Sequence, residues 1–278
     1  MSDLTSWIGI KQRPPDCRLT PNPYHPLRKG LVFLGGTRWP GSRRYDDASG
    51  HGNHGTLTNM AIPAAEDGTS GWGWSSELGR AYTAHDGIND NIVIPVGGSG
   101  NALPCTMAGW FNASSSGDYR PILVCRNYGL QGLATSGAAG GPLTFYWDAD
   151  EYSLSTGLTF STKAWHFGAA VVRVGFVEVY LNNTVYTNTD PNTDRPINGT
   201  WNSGVDSVSG RQWAGFLSDR FIWKNRALSP SEISALADPS NVMLSGLLLP
   251  PRRVLFSSAA APPATNRRRR FLISCAGT

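Results

Sequence analysis

Short apolar and aromatic segments recur through the middle of the chain and are separated by turns rich in Gly, Pro, Asn and Ser. Their short length and their β-branched and aromatic content predict β-strands. Long amphipathic helices do not alternate with them, which argues against a parallel α/β fold. The pattern therefore predicts an all-β fold, with the clearest strands at 91–94, 106–111, 122–125, 143–147, 165–174, 176–181 and 216–223.

Two turns are marked by their residue types. The run 114–117 (SSSG) separates two predicted strands, 106–111 and 122–125, and predicts that they form a hairpin. Asn182 and Asn183 follow the strand 176–181 at a position where a tight hairpin turn needs positive φ, which asparagine tolerates.

One short helix is predicted after the last strand. Ser229 is a typical N-cap, Pro230 suits the first helical position and Glu232 completes a capping box. Ile233, Leu236 and neighbouring alanines then supply an apolar face, and the helix is expected to end before Asp238.

Composition supports a folded β domain. Charged residues make up 16% of the 278 residues, below the roughly 25% usual in globular proteins. The 32 glycines and 19 prolines supply turn residues, and ten tryptophans are many for this length. An apolar content of 40% is enough to bury a core, so disorder over most of the chain is excluded.

Charge divides the chain into three regions: an extended Pro-rich arm at 1–28, a β domain at 29–238 and a C-terminal arm at 239–278. The formal net charge is +4. The C-terminal arm carries +6 and residues 1–25 carry +1, so the middle is −3. Nucleic-acid binding by the domain is therefore not expected. The basic charge of the C-terminal arm resides in Arg252, Arg253, Arg267, Arg268, Arg269 and Arg270.

The remaining general features concern compartment and cysteines. The first residues lack the basic start and apolar core of a secretory signal, and no apolar run approaches the length of a membrane span. Neither export nor membrane insertion is expected. Cys105 and Cys125 can lie near each other, and we expect free buried thiols rather than a disulfide.

Four collinear segments resemble the laminin G-like, concanavalin A-like lectin/glucanase superfamily, whose domains are jelly rolls. Together they span about three quarters of the chain. They are 47–57 (DASGHGNHGTL), 79–90 (GRAYTAHDGIND), the pair 165–166 (WH) and 177–183 (VEVYLNN), and 219–229 (DRFIWKNRALS). The resemblance implies two antiparallel sheets packed as a sandwich, with the short helix at its edge.

The resemblance also implies a structural calcium ion near Asp47, Asn53, Asp86 and Asp219, since carboxylate, amide and carbonyl oxygens suit this cation. The alternative is that Asp47 and Asn53 only satisfy turn amides and that Asp219 pairs with an arginine.

Glucanases share this fold, so catalysis is a further question. Their strand signature E-x-D-x-x-E is absent, and none of the five glutamates sits in such an arrangement. An enzyme is therefore not expected, and a divergent glycoside hydrolase or polysaccharide lyase is kept as an alternative.

Sugar binding is the expected activity of a lectin-like domain. Trp72, Trp74 and Trp147 lie in or beside predicted loops, where their rings can stack on sugars. The alternative is that they are core residues, as tryptophans in a sandwich often are. Trp110, Trp165 and Trp223 lie within predicted strands and are expected to be structural.

A shorter segment, 23–32 (PYHPLRKGLV), resembles the opening of such domains in tailed-phage proteins. It implies a virion protein, for capsid decoration or of fibre type, assembled in the host cytoplasm. Its expected partners are other virion proteins docked through the arginine-rich arm, further copies of the chain, and host-surface glycans. A free-standing carbohydrate-binding module is the alternative.

Overall fold

Two antiparallel sheets of eight strands each face one another across an apolar core. The computed structural model describes residues 20–36, 42–97, 103–115, 120–126, 130–135, 141–148, 152–189, 199–205, 211–240 and 247–249. The predicted all-β sandwich of two antiparallel sheets is confirmed. The six arginines of the C-terminal arm lie outside the described residues.

Sheet I has the strand order β15-β14-β13-β8-β17-β6-β5, and β2 pairs with part of β17. Its strands are β2 (Leu31–Gly35), β5 (Gly71–Ser75), β6 (Arg80–Asp86), β8 (Cys105–Ala113), β13 (His166–Arg173), β14 (Phe176–Leu181), β15 (Thr184–Asn188) and β17 (Ala214–Trp223).

Sheet II has the order β12-β11-β10-β9-β16-β7-β4-β3. Its strands are β3 (Arg44–Tyr45), β4 (Gly55–Thr58), β7 (Asn91–Ile94), β9 (Arg120–Arg126), β10 (Leu130–Thr135), β11 (Pro142–Asp148), β12 (Tyr152–Thr159) and β16 (Trp201–Ser203).

The predicted hairpin around 114–117 is wrong. Strand β8 pairs with β13 and β17 in sheet I, whereas β9 pairs with β10 and β16 in sheet II. All nine residues of β8 are buried, because sheet I packs on the core with one face and under the helix with the other. A hairpin needs both strands in one sheet, and here the chain crosses from sheet I to sheet II between β8 and β9.

The predicted helix and the tight turn are both confirmed. Helix α1 covers Pro230–Ala237 and begins with a capping box, in which Ser229 and Glu232 exchange hydrogen bonds. Of the two turn residues between β14 and β15, Asn182 adopts the expected positive φ of 53° and Asn183 does not.

A second apolar cluster lies on the outer face of sheet I, beneath α1. Helix residues Ile233 and Leu236 pack there with Trp110 and Trp223 of the sheet. The indole N–H of Trp223 donates to the Leu27 carbonyl oxygen at 2.8 Å, which fixes the N-terminal segment against this cluster. The predicted structural role of Trp110 and Trp223 is thus confirmed.

The described parts of the two predicted arms meet each other. Strand β1 (Thr20–Pro21) pairs antiparallel with β18 (Leu248–Leu249). Leu27 and Leu247 are fully buried in the second cluster. The expected boundaries at 28/29 and 238/239 therefore do not separate packed from unpacked chain.

Candidate glycan-binding surface

Three aromatic side chains form a partly exposed cluster on the outer face of sheet I. Tyr82 lies on β6, Phe216 on β17, and Trp165 directly precedes β13. The ring centroids are 4.6 Å apart for Tyr82 and Phe216, 5.9 Å for Tyr82 and Trp165, and 6.3 Å for Trp165 and Phe216. We call these three residues the aromatic cluster.

Strand alternation explains why these rings face outward. Ala81 and Leu217 point into the inter-sheet core, so their neighbours Tyr82 and Phe216 point to the other face. Phe167 packs in the second apolar cluster on the outer face, and Trp165, two residues earlier, shares its direction. Helix α1 covers another part of this face, where Trp110 and Trp223 are buried, while the aromatic cluster keeps partial exposure.

Gly73 on the edge strand β5 supports the cluster. It pairs with Tyr82, and a Cβ placed on it would lie 2.2–2.5 Å from the Cζ, Cε2 and hydroxyl atoms of the Tyr82 ring. The ring therefore lies across the bare backbone of Gly73. A side chain at position 73 would occupy the space that the Tyr82 ring now fills.

We expect Gly73→Ala to displace the Tyr82 ring at a cost of about 1–3 kcal/mol, as overpacking does. Urea unfolding measures the cost, and near-ultraviolet circular dichroism reports the moved ring. Gly97→Ala is the matched control, because a Cβ at Gly97 would meet no atom within 4 Å. Equal stabilities of the two variants would show that Tyr82 does not depend on Gly73.

The cluster combines apolar ring faces with polar groups. Partial burial raises the pKa of Tyr82, so its hydroxyl stays protonated and can donate as well as accept a hydrogen bond. Neither this hydroxyl nor the Trp165 indole N–H bonds to another described residue. Such rings present an apolar face to C–H groups and a polar edge to hydroxyl groups, which is the chemistry of a sugar surface.

The tryptophans predicted to bind glycans are not in this cluster. Trp72 is only 8% exposed, stacks on Tyr45 and donates from Nε1 to the Ser42 carbonyl oxygen at 2.9 Å. Its prediction is wrong, because the ring is a core residue. Trp74 is 52% exposed at the edge of sheet I, but alternation directs it to the other face of β5 from Gly73. The side chain of Trp147 lies outside the described residues.

Trp165 was expected to be structural, and this is confirmed, because the ring packs against the second apolar cluster while it also belongs to the aromatic cluster. It stands immediately before β13 rather than inside it, and its side chain is partly exposed. The local sequence predicts the strand β13, but it does not show that the Trp165 side chain before this strand stays partly exposed to solvent. Tyr82 and Phe216 were not predicted as site residues, since only strand pairing brings them beside Trp165.

A buried polar network lies between the sheets and holds β6 and β17 in place. Arg220 is fully buried. It donates from Nε to the Ser203 hydroxyl at 2.9 Å, from Nη2 to the Thr83 hydroxyl at 2.7 Å, and from Nη1 to the Tyr45 hydroxyl. Ser203 and Tyr45 belong to sheet II, so one guanidinium ties the two sheets together. Sequence reasoning did not predict this role, because nothing local distinguishes a buried arginine.

Burial sets the protonation states in this network. It raises the pKa of Tyr45 to about 12, against the opposing charge effect of Arg220. It lowers the pKa of His85 to about 3, and the Arg220 charge acts in the same direction. His85 is therefore neutral at pH 7. The contact of Nδ1 with the Asp90 carbonyl oxygen, at 3.1 Å, assigns the proton to Nδ1.

The carboxylate of Asp47 does not fit a calcium ligand. Its Oδ1 accepts from the amides of Leu34 and Ser49, and its Oδ2 accepts from the Ser49 hydroxyl and the Asn53 amide. These donors fill the roughly four acceptor sites of a carboxylate. Asn53 donates its side-chain amide to the Val32 carbonyl oxygen at 2.8 Å. Both residues satisfy turn amides and carbonyls, which was the alternative interpretation.

The other two predicted calcium ligands lie apart. The Asp86 carboxylate accepts hydrogen bonds from the amides of Ile88 and Asn89. In the ladder between β6 and β17, Asp86 lies opposite Ala214. Asp219 lies five residues after Ala214 on β17, about 16 Å along the strand at the usual rise, and its carboxylate forms a salt bridge with Arg80. The four residues thus form no common site, and no described group of three His, Cys, Asp or Glu side chains could hold a metal ion. Calcium binding stays a prediction.

The cysteine prediction agrees with the structure. Cys105 and Cys125 form no disulfide and are buried in the inter-sheet core. Burial raises the pKa of both thiols, that of Cys125 to about 11, so they stay protonated. Among the described helices none is long and apolar enough to cross a bilayer.

Comparison with known proteins places this fold in a family. The family model described as the concanavalin A-like lectin/glucanases superfamily matches residues 86–234, more than half of the chain. The chain belongs to this superfamily. Its match begins within β6 and ends within α1, so it covers Phe216 and Trp165 but not Tyr82. No curated protein sequence matches the chain.

Several solved structures share this lectin-like fold. Domain 4 of AbnA, an extracellular GH43 arabinanase from Geobacillus stearothermophilus solved with arabinotriose, is 19% identical with a TM-score of 0.60, covering 75% of this chain and 98% of that domain. Trypanosoma rangeli sialidase with sialic acid is 14% identical with a TM-score of 0.54, over 78% of this chain and 33% of the sialidase.

A third structure is a binding domain. The binding domain of Paraclostridial Mosquitocidal Protein 1 is 20% identical with a TM-score of 0.51, over 76% of this chain and 52% of that domain. The chain thus spans about a third of the sialidase and half of this binding domain. At these identities the likeness shows the fold alone, and chains named as hydrolases and as binding domains both carry it.

Proposed function

We propose that this lectin-like domain binds glycans through the aromatic cluster and that the chain is a non-enzymatic attachment protein of a phage particle. The observation that carries the glycan proposal is the cluster itself: three touching, partly exposed rings on an outer sheet face. Ligand sites are typically lined by aromatic side chains with a few polar groups, and these three rings provide such a lining.

The arabinanase domain supports the substrate class. That domain was solved with arabinotriose, and the present chain covers nearly all of it. Arabinotriose is therefore the first probe for the aromatic cluster, followed by a printed array that includes sialylated glycans.

The non-enzymatic part rests on the absent strand signature E-x-D-x-x-E and on the partners of two of the five glutamates. Glu178 pairs with Arg173 at 2.8 Å, and Glu232 is held by Arg226 and by the helix capping box. These two carboxylates have structural partners, while glycoside hydrolysis usually needs two carboxyl groups across the bound sugar.

The phage part rests on the segment 23–32, which resembles the opening of tailed-phage domains. In the structure this segment packs on the β-sandwich. His25 caps a short 3₁₀ helix over Pro26–Arg28, and Leu27 is buried under α1. The β1–β18 pairing brings the bases of both arms together, so the arginine-rich arm can dock on a neighbouring virion subunit beside the N-terminal arm.

We expect Trp165→Ala and Tyr82→Ala each to weaken arabinotriose or array binding at least about tenfold, or ~1.4 kcal/mol, because a stacked aromatic ring is a typical binding hot spot. Isothermal titration calorimetry with the best-binding glycan measures the loss. Tyr24→Ala is the control, since Tyr24 is 92% exposed in the N-terminal segment and outside the cluster.

Two outcomes overturn the glycan proposal: no binding on the array, or binding that survives both cluster substitutions. The remaining alternatives are separated by two further measurements. Release of reducing ends from arabinan or other polysaccharides would establish a hydrolase, and unsaturated products would establish a lyase. Glycan binding by a chain that is absent from purified particles and does not join them would establish a free-standing carbohydrate-binding module.

A further inference from the structure

Strand β15 is the most regular of the strands that end the two sheets. The other ends carry features that discourage pairing: β5 contains Gly71 and Gly73, β3 has two residues including Arg44, and β12 is interrupted by Gly157 at positive φ. Strand β15 has the sequence Thr-Val-Tyr-Thr-Asn, without charge, proline or glycine. Exposed edges of this kind are templates for another strand.

Its hairpin register shows which backbone groups are free. Leu181 pairs with Thr184 across the two-residue turn, and Val179 pairs with Tyr186. In an antiparallel ladder, hydrogen-bonded pairs alternate with pairs whose N–H and C=O groups point away. The amides and carbonyls of Val185 and Thr187 therefore point outward. Within the described structure they have no partner, and the Val185 side chain is 48% exposed.

We propose that β15 pairs with β15 of a second copy of this chain, antiparallel about a two-fold axis at Tyr186. Val185 of each copy then faces Thr187 of the other. All outward amides and carbonyls of the two residues find partners, and the two Tyr186 side chains lie directly opposite each other. No like charges meet, because the strand has none. The two copies of sheet I become one continuous sheet.

A second copy is the occupant that the strand itself specifies. Pairing at this edge needs a partner strand whose free groups have the same spacing and whose side chains carry no opposing charge, and β15 meets both conditions for itself. The proposal gives the expected self-association a location on the fold, and it does not depend on glycan binding.

The test is the molar mass of the full chain by sedimentation equilibrium across a concentration series. We expect wild type to approach the mass of two chains, and Val185→Lys/Thr187→Lys to give the mass of one, since opposed lysines repel at the new ladder. Val174→Lys is the matched control, because Val174 is an exposed valine, 66% exposed, at the β13–β14 turn outside the interface.

A charge-reversal pair keeps the test decisive if a variant folds poorly. Val185→Glu/Thr187→Glu should be monomeric alone and should form a mixed two-chain species with the lysine variant. A monomeric wild type at all concentrations overturns the proposal. A lysine variant that still associates also overturns it and assigns association to another surface, such as the arms.

Discussion

Replacing Arg220 by methionine is expected to lower the free energy of unfolding by about 3–5 kcal/mol. The guanidinium is fully buried and donates to hydroxyls of both sheets, so its loss leaves Tyr45, Thr83 and Ser203 without their donor. Methionine fills similar volume, which keeps the cavity contribution small. Urea unfolding followed by tryptophan fluorescence gives the difference.

Arg173→Met is the matched control for this measurement. Arg173 is likewise hydrogen-bonded, in its case to the Glu178 carboxylate, but its side chain is 37% exposed. Such surface ion pairs contribute about 0–1 kcal/mol to stability. Similar losses in the two variants would contradict a special role for Arg220 in joining the sheets.

The second large effect is on the pH dependence of stability. His85 has a pKa of about 3 when folded and about 6.5 when unfolded, so the unfolded state binds the extra proton between these values. Stability is therefore lost as pH falls from about 6.5 towards 3. The contribution of this one group is ~3 kcal/mol at pH 4.

His85→Gln isolates this contribution. Five other groups with shifted pKa values also titrate in acid. The lowered pKa values of His166, Asp67 and Asp238 act in the same direction as that of His85, whereas the raised pKa values of Asp90 and Asp219 act in the opposite one. Subtracting the variant's unfolding free energies from those of wild type between pH 7 and pH 4 removes their effects. We expect that difference to shift by ~3 kcal/mol in favour of the variant at low pH. Parallel curves would mean that His85 is not buried neutral.

Much of the fold follows from local patterns. Apolar segments bounded by Pro and Gly predict strands such as β7 and β11, because each strand is marked by its own residues. The capping box at Ser229 and the turn at Asn182 depend on contacts within a few residues, and both are formed. Which strands pair is a different matter, and the predicted β8–β9 hairpin failed for that reason.

The predicted glycan-binding and calcium-binding residues agree with the structure less well than the predicted fold does. Trp72 and Trp74 are two residues apart on one strand, yet one is core and the other is exposed, because Trp72 is covered by Tyr45 from the opposite sheet. The sequence made Asp47 a plausible cation ligand, but in the fold its carboxylate oxygens already accept hydrogen bonds from backbone amides. In each case the deciding neighbour comes from elsewhere in the chain.

By itself the sequence determined the clearest strands, the helix and the family, since these are set by residue type and spacing along the chain. Only the tertiary structure decided the aromatic cluster, the Arg220 network and the open edge at β15. Tyr82, Trp165 and Phe216 lie on segments far apart in sequence and meet because β6 and β13 flank the β8–β17 pair. Side-chain exposure depends on what the opposite sheet and the helix cover, and that is settled only when the sheets pack.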